Sequence, residues 1–132
     1  MGRRDDDLLA AEWHQLMGRY QRLMCALDRE LSVHDLSASE FEVLQQLEQA
    51  DQGAVRMSVL AENAHLSQSA LSRLVSRLER DGLIERTSCA DDRRSLFVAL
   101  TDHGRERYAD ARPTQRKVLR EEGSECLEDR AR

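Results

Sequence analysis

The residues with the plainest chemical purpose lie between Ser67 and Arg94. Over Ser67–Asp81, Leu71, Leu74, Val75 and Leu78 recur at helical spacing and form one narrow apolar stripe. At about 100° per residue, Ser69, Arg73, Ser76 and Arg80 fall on the opposite side. A merely solvated helix face mixes acidic and basic side chains. This one is hydroxylated and cationic, so it can approach a polyanion without like-charge repulsion. Two more arginines, Arg93 and Arg94, sit at or beside a run of turn-forming residues, Ala90-Asp91-Asp92-Arg93. The planar fork of arginine matches phosphate oxygens and the O6 and N7 acceptors of guanine. The chemistry is therefore recognition of duplex DNA rather than bond making. No glycine-rich phosphate loop, zinc-ligand pair or nucleophile–base arrangement occurs, so neither a catalytic residue, a metal nor a cofactor is expected.

The elements that must position these side chains can be read outward from them. Asp81-Gly82 ends the helix, with Gly82 free to take the left-handed conformation after its last turn. Leu83–Cys89 has strand character, and Leu96, Val98 and Leu100 alternate along the return strand from Ser95, as in a half-buried strand. On the other side, Ser58 is a candidate cap for a short helix carrying Val59, Leu60 and Ala61, and His65-Leu66 makes the turn. So short a connector forces a steep crossing and leaves the second helix projecting. The pattern describes a mainly α chain with a small β-hairpin wing, a winged helix-turn-helix. Its reading helix would enter the major groove N-terminus first, with Ser67, Gln68, Ser69, Ser72, Arg73 and Ser76 facing bases or nearby phosphates. Arg73 is the candidate for bidentate contact with guanine, Arg77 and Arg80 flank it near phosphates, and Arg86 reads as peripheral or structural.

Flanking helices complete the chain. Residues 8–31 read as one long helix in which Leu9, Trp13, Leu16, Tyr20, Leu23 and Leu27 recur at spacings of three and four. Ser37-Ala38-Ser39-Glu40 fits a capping box opening a helix with Phe41, Leu44 and Leu47 inward. Thr101 is a suitable cap for the last helix, which carries Tyr108, Ala111, Val118 and Leu119 and is expected to bend at Pro113. Three segments follow: 1–34, an N-terminal helix whose apolar stripe either packs in the core or forms a dimer seam; 35–100, the DNA-binding module; and 101–132, a C-terminal helix with a short tail.

Three motifs in register, Leu78-Glu79-Arg80-Asp81-Gly82-Leu83-Ile84-Glu85-Arg86, then Asp92-Arg93-Arg94-Ser95, then Ala99-Leu100-Thr101-Asp102-His103-Gly104, resemble the MarR/SlyA family of bacterial regulators. The resemblance covers roughly residues 8–120 and implies a dimer whose terminal helices interlock, assigning Leu9, Trp13, Leu16, Tyr20, Leu23 and Tyr108 to the seam. It also implies that Arg93 enters the minor groove, where narrow A·T-rich DNA concentrates negative potential. Asp92 and Arg94 would then brace the wing. By the same resemblance a small-molecule effector would sit between the long helices and the DNA-binding module, and the dimer would block transcription from an inverted-repeat operator. Beyond Glu122 the sequence departs from the family. Gly123–Arg132 holds a single Leu where members continue into a Leu-rich helix, so that part of the seam is expected to be short.

Composition bounds the remainder. The 132 residues carry a net charge of −5, which argues against a DNA-coating protein. Between Arg56 and Leu96, however, seven Arg oppose six acidic residues, leaving that segment at +1 and the rest at −6. No apolar run is long enough to span a membrane, and the N-terminus does not resemble a signal peptide. Three scattered cysteines, Cys25, Cys89 and Cys126, suit a reducing cytoplasm, with the protein working at the nucleoid. Two other readings are a protein-contact module with acidic partners on its arginines, and a metal- or thiol-responsive sensor using Cys89 or Cys25. Cys25 itself is expected to be packed as a small hydrophobe.

Overall fold

The stripes and caps resolve into five α-helices and three strands in a computed structural model, which describes residues 2–50, 53–89 and 92–123. The helices are α1 (Arg3–Leu31), α2 (Ala38–Glu48), α3 (Met57–Asn63), α4 (Gln68–Arg80) and α5 (Asp102–Glu122). The strands are β1 (Ala54–Arg56), β2 (Ile84–Cys89) and β3 (Asp92–Leu100), and a single 3₁₀ turn, Ser32–His34, joins α1 to α2. Together they form a winged helix-turn-helix, α3 and α4 being the paired helices and the β2–β3 hairpin the wing.

Local chemistry sets most boundaries. Ser37 accepts a hydrogen bond from the Glu40 N–H at 3.1 Å, and Glu40 Oε1 accepts from the Ser37 N–H at 2.8 Å, which completes the capping box at the start of α2. Ser67 caps α4 by accepting from the Ala70 N–H at 3.1 Å, and Thr101 caps α5 by accepting from Gly104 at 3.0 Å. Gly82 takes φ +78°, as the end of α4 requires. Ser58 is not a cap: it lies in the first turn of α3, and Arg56 occupies the cap position without a side-chain bond. The cause is β1, a strand absent from the sequence reading. Its pairing of Arg56 with Phe97 holds Arg56 extended, at φ −63° and ψ 139°, one residue before the helix.

The sheet has the order β1-β3-β2 and is antiparallel throughout, so β3 is paired on both edges. It begins at Asp92, earlier than the alternation from Ser95 suggests. Leu71, Val75 and Leu78 from α4, Leu60 from α3, and Leu83, Ile84 and Val98 from the wing base are all buried with Phe41 and Leu44 of α2. Their burial gives the module one continuous core, the main source of stability for helices this short. The wing base is fastened to α5 at close quarters. The Leu83 carbonyl accepts from the Thr101 N–H at 3.1 Å, and the Gly82 carbonyl accepts from the Thr101 hydroxyl at 2.6 Å. Gly104 then packs so tightly on this turn that a Cβ would lie 2.0 Å from the Leu83 oxygen. This contact gives the glycine of the Leu-Thr-x-x-Gly motif its physical reason.

Helix α1 begins at Arg3, earlier than the apolar periodicity indicates, and its 29 residues span roughly 43 Å. Its last turns, with Leu27 and Leu31, enter the core and pack beside α5, where Arg29 and Glu122 pair at 4.0 Å. Helix α5 continues through Pro113 as one element.

Candidate nucleic-acid interface

Helix α4 buries one face and exposes the other. Ser67, Gln68, Ser69, Ser72, Arg73, Ser76, Arg77 and Arg80 are all solvent-exposed, so the face drawn from residue spacing exists as one surface. Its hydroxyls differ in availability. The Ser67 and Ser69 oxygens lie 3.3 Å apart at the N-terminal end. Ser76 accepts a 2.6 Å hydrogen bond from Arg86 Nη2, and Arg86 Nε pairs with Glu79 Oε1 at 3.3 Å. Arg86 therefore ties β2 to α4 and fixes the spacing between the reading helix and the wing. That agrees with a structural part for Arg86 and makes Ser76 part of the brace.

The arginines of α4 divide into two kinds. Arg73 and Arg80 have no hydrogen bond or ion pair among the described residues and present free guanidinium groups. Arg77 is engaged: its Nε lies 3.4 Å from Oε2 of Glu40, whose side chain is only 2% exposed. Sequence reasoning placed Glu40 in a capping box and missed this second role. A carboxylate set among Phe41, Val43 and Leu44 is the available signal, because a charge in an apolar run needs a partner. Arg56 was also missed; its guanidinium stands 5.5 Å from the centroid of the Phe97 ring, which anchors a cation at the start of α3. The side chains of Asp92, Arg93 and Arg94, and of Cys89, lie outside the described residues, as do Ala90, Asp91 and the segment 124–132. By backbone, Arg93 and Arg94 stand at the start of β3, next to the wing tip.

The residues assigned to a dimer seam separate. Leu9, Trp13, Leu16 and Tyr20 are exposed, together with Leu8 and Met17, and Trp13 is 59% exposed. Leu23 is half-buried against the chain's own core. Tyr108 corrects the expectation, since it is buried within the chain. Its ring stacks on Phe41 with centroids 5.2 Å apart, and its hydroxyl donates to Gln45 Oε1 at 3.5 Å. The packing of α5 on α2 turns that face of α5 inward. Cys25 also departs from expectation. It is exposed, on the side of α1 shared with Asp28 and Arg29, while Ala26 and Leu27 face the core.

A cavity of about 520 Å³ opens between the long helices and the turn that leads into α4. Tyr20, Met24 and Leu27 of α1, Glu42 of α2, His65 and Gln115 of α5 line it. His65 takes the left-handed conformation at φ 58°, at the corner between α3 and α4. Among the described residues no helix is long and apolar enough to cross a membrane.

This architecture is shared with known proteins. The sequence profile of the MarR family matches residues 36–96. AbsC, a MarR family transcriptional regulator from Streptomyces coelicolor, superposes with a TM-score of 0.77 at 31% identity, covering 84% of this chain and 75% of that one. The chain belongs to the MarR family. Sco3205, a MarR family transcriptional regulator from the same organism solved in complex with DNA, is similar at 29% identity and TM-score 0.79, over 84% of this chain and 73% of its own. The uncharacterized HTH-type transcriptional regulator YdgJ of Bacillus subtilis (strain 168) is 30% identical over 86 residues, or 65% of this chain, which spans about half (51%) of its length.

Proposed function

We propose that this protein is a transcriptional regulator that binds double-stranded DNA as a homodimer on an inverted-repeat operator, represses the genes behind it, and lets go when a small molecule binds. The observation that carries this reading is the exposed Ser-Arg face of α4 braced through Arg86 to the β2–β3 wing, in a chain of the MarR family. That Sco3205 was solved with DNA supports the choice of partner.

In the mechanism, Ser67, Gln68, Ser69 and Ser72 lie along the N-terminal half of α4, the part of a recognition helix that meets base edges in the major groove. Arg73 reads guanine and Arg80 meets phosphate. Arg93 reaches the adjacent minor groove, with Asp92 and Arg94 bracing it. The exposed stripe Leu9, Trp13, Leu16 and Tyr20 covers its counterpart on a second copy, which sets two reading helices one helical turn of DNA apart. The effector occupies the 520 Å³ cavity, whose wall includes His65 at the entry to α4. Selection of bound fragments from random duplex DNA at fixed salt tests the reading and should yield an inverted repeat. Arg73→Ala should then weaken operator binding by about 1–3 kcal/mol and relax the preference at one base pair of each half-site, and Arg93→Ala should cost a similar amount. A folded parent protein that retains no duplex at low salt refutes the proposal.

A further inference from the structure

Arg77 sits on the outward half of the reading helix, where an arginine would ordinarily add a phosphate contact. Its guanidinium is tied inward at one nitrogen. Nε lies 3.4 Å from Glu40 Oε2, and that oxygen has no hydrogen-bond donor of its own. The other oxygen, Oε1, is fixed by the Ser37 N–H at 2.8 Å, so the carboxylate cannot turn away or follow a departing partner. The Glu40 side chain is 2% exposed against 59% for Arg77. The two charges therefore have unequal alternatives. If Arg77 left, water would solvate it well, but Glu40 would remain as a buried and uncompensated anion. A polar hollow of about 270 Å³ beside the pair is also lined by Asp28 and Asp35.

We infer that Glu40 holds Arg77 back from the DNA backbone, so that the pair positions α4 and limits sequence-independent binding by this chain. The inference rests on the DNA-binding reading above. A phosphate contact from Arg77 would strengthen binding to every sequence alike and add nothing to discrimination. Tethering it leaves specific contacts a larger share of the affinity. The tie also joins the first turn of α2 to the last turn of α4, beside the core that the two helices share.

The experiment uses the full chain and measures binding to a random duplex and to the selected operator across a salt series. Glu40→Gln keeps a side chain able to complete the capping box but removes the charge. It should tighten binding to random duplex and steepen the log–log salt slope by about 0.9, so that affinity falls roughly 3.5-fold more than the parent's between 50 and 200 mM salt. The ratio of operator to random affinity should shrink. Arg77→Gln in the parent should leave the slope unchanged, whereas in the Glu40→Gln background it should abolish the added slope. A parent-background Arg77→Gln that lowers the slope by about one overturns the inference, and this variant alone decides the matter if Glu40→Gln does not fold. A Glu40→Gln protein that folds and matches the parent on random duplex overturns it too. If the parent binds no duplex at all, the functional reading fails and this one with it; if the parent binds and only the predicted changes are missing, this one fails alone.

Discussion

Replacing Gly104 by alanine tests the junction that carries the wing and α5 together. A Cβ at this position would stand 2.0 Å from the Leu83 carbonyl oxygen and 3.0 Å from both the Leu83 carbonyl carbon and Leu100 Cδ2. Non-bonded heavy atoms settle at about 3.5 Å, so α5 must withdraw from the turn by more than about 1 Å. The neighbours cannot yield cheaply, since the closest is backbone already accepting from the Thr101 N–H. Withdrawal strains that bond and the Thr101 hydroxyl bond to Gly82. Overpacking of this kind costs about 1–3 kcal/mol, and the two weakened bonds add roughly 1–2 more. For a chain of this size each kcal/mol moves the melting temperature by roughly 3–5 °C, so a fall of about 10–15 °C is expected. Thermal unfolding followed by circular dichroism measures it, with Gly18→Ala as the control. Gly18 lies within α1, and its Cβ would meet only Arg22 Nη1, at 3.4 Å. The same substitution there should raise stability by up to about 1 kcal/mol through helix propensity. If Gly104→Ala melts within about 2 °C of the parent, the close approach of α5 to Leu83 is not a constraint and the reasoning fails.

Two further outcomes follow from the same geometry. Trp13→Asp should break the proposed homodimer: about 60% of a side chain that presents roughly 150–250 Å² is exposed, worth about 2–4 kcal/mol per copy when covered and counted twice across a two-fold axis. Sedimentation equilibrium should show a dissociation constant raised by at least about 100-fold, and an unchanged constant would remove Trp13 from the seam. Arg86→Met should cost about 1 kcal/mol of stability and weaken operator binding while leaving the salt slope alone, because Arg86 acts through Ser76 and Glu79. A slope lowered by about one unit would instead make Arg86 a phosphate ligand.

What could be read from the sequence and what could not divide along the distance over which the physics acts. The capping box at Ser37 and Glu40, the caps at Ser67 and Thr101, and the left-handed Gly82 rest on bonds or dihedrals spanning a few residues. The stripe of α4 was legible for the same reason, and with it the exposed face of the candidate site. β1 was not, because three residues are too few to show alternation and its partner strand lies far along the chain. Ser58 was misread as a cap as a consequence. Tyr108 presents the same apolar ring to a periodicity argument whether it meets Phe41 or a second copy; only the packing of α5 on α2 decides. Likewise the capping box uses only one oxygen of Glu40; the apolar run around it signals that the charge needs a partner, but only the fold brings Arg77 to it.

The central strand has a mechanical consequence. β3 passes into α5 through Thr101 alone, and both the N–H and the hydroxyl of that residue are fastened to the turn beneath. Because β3 is also paired with β1 and β2, α5 is tied through Thr101 to the whole sheet. The nine residues of β3 reach roughly 30 Å, so a tilt of the sheet by about 10° about this corner would displace its far end by roughly 5 Å, about one and a half base-pair steps. The angle that Thr101 sets between sheet and helix therefore matters most at the outer end of the wing.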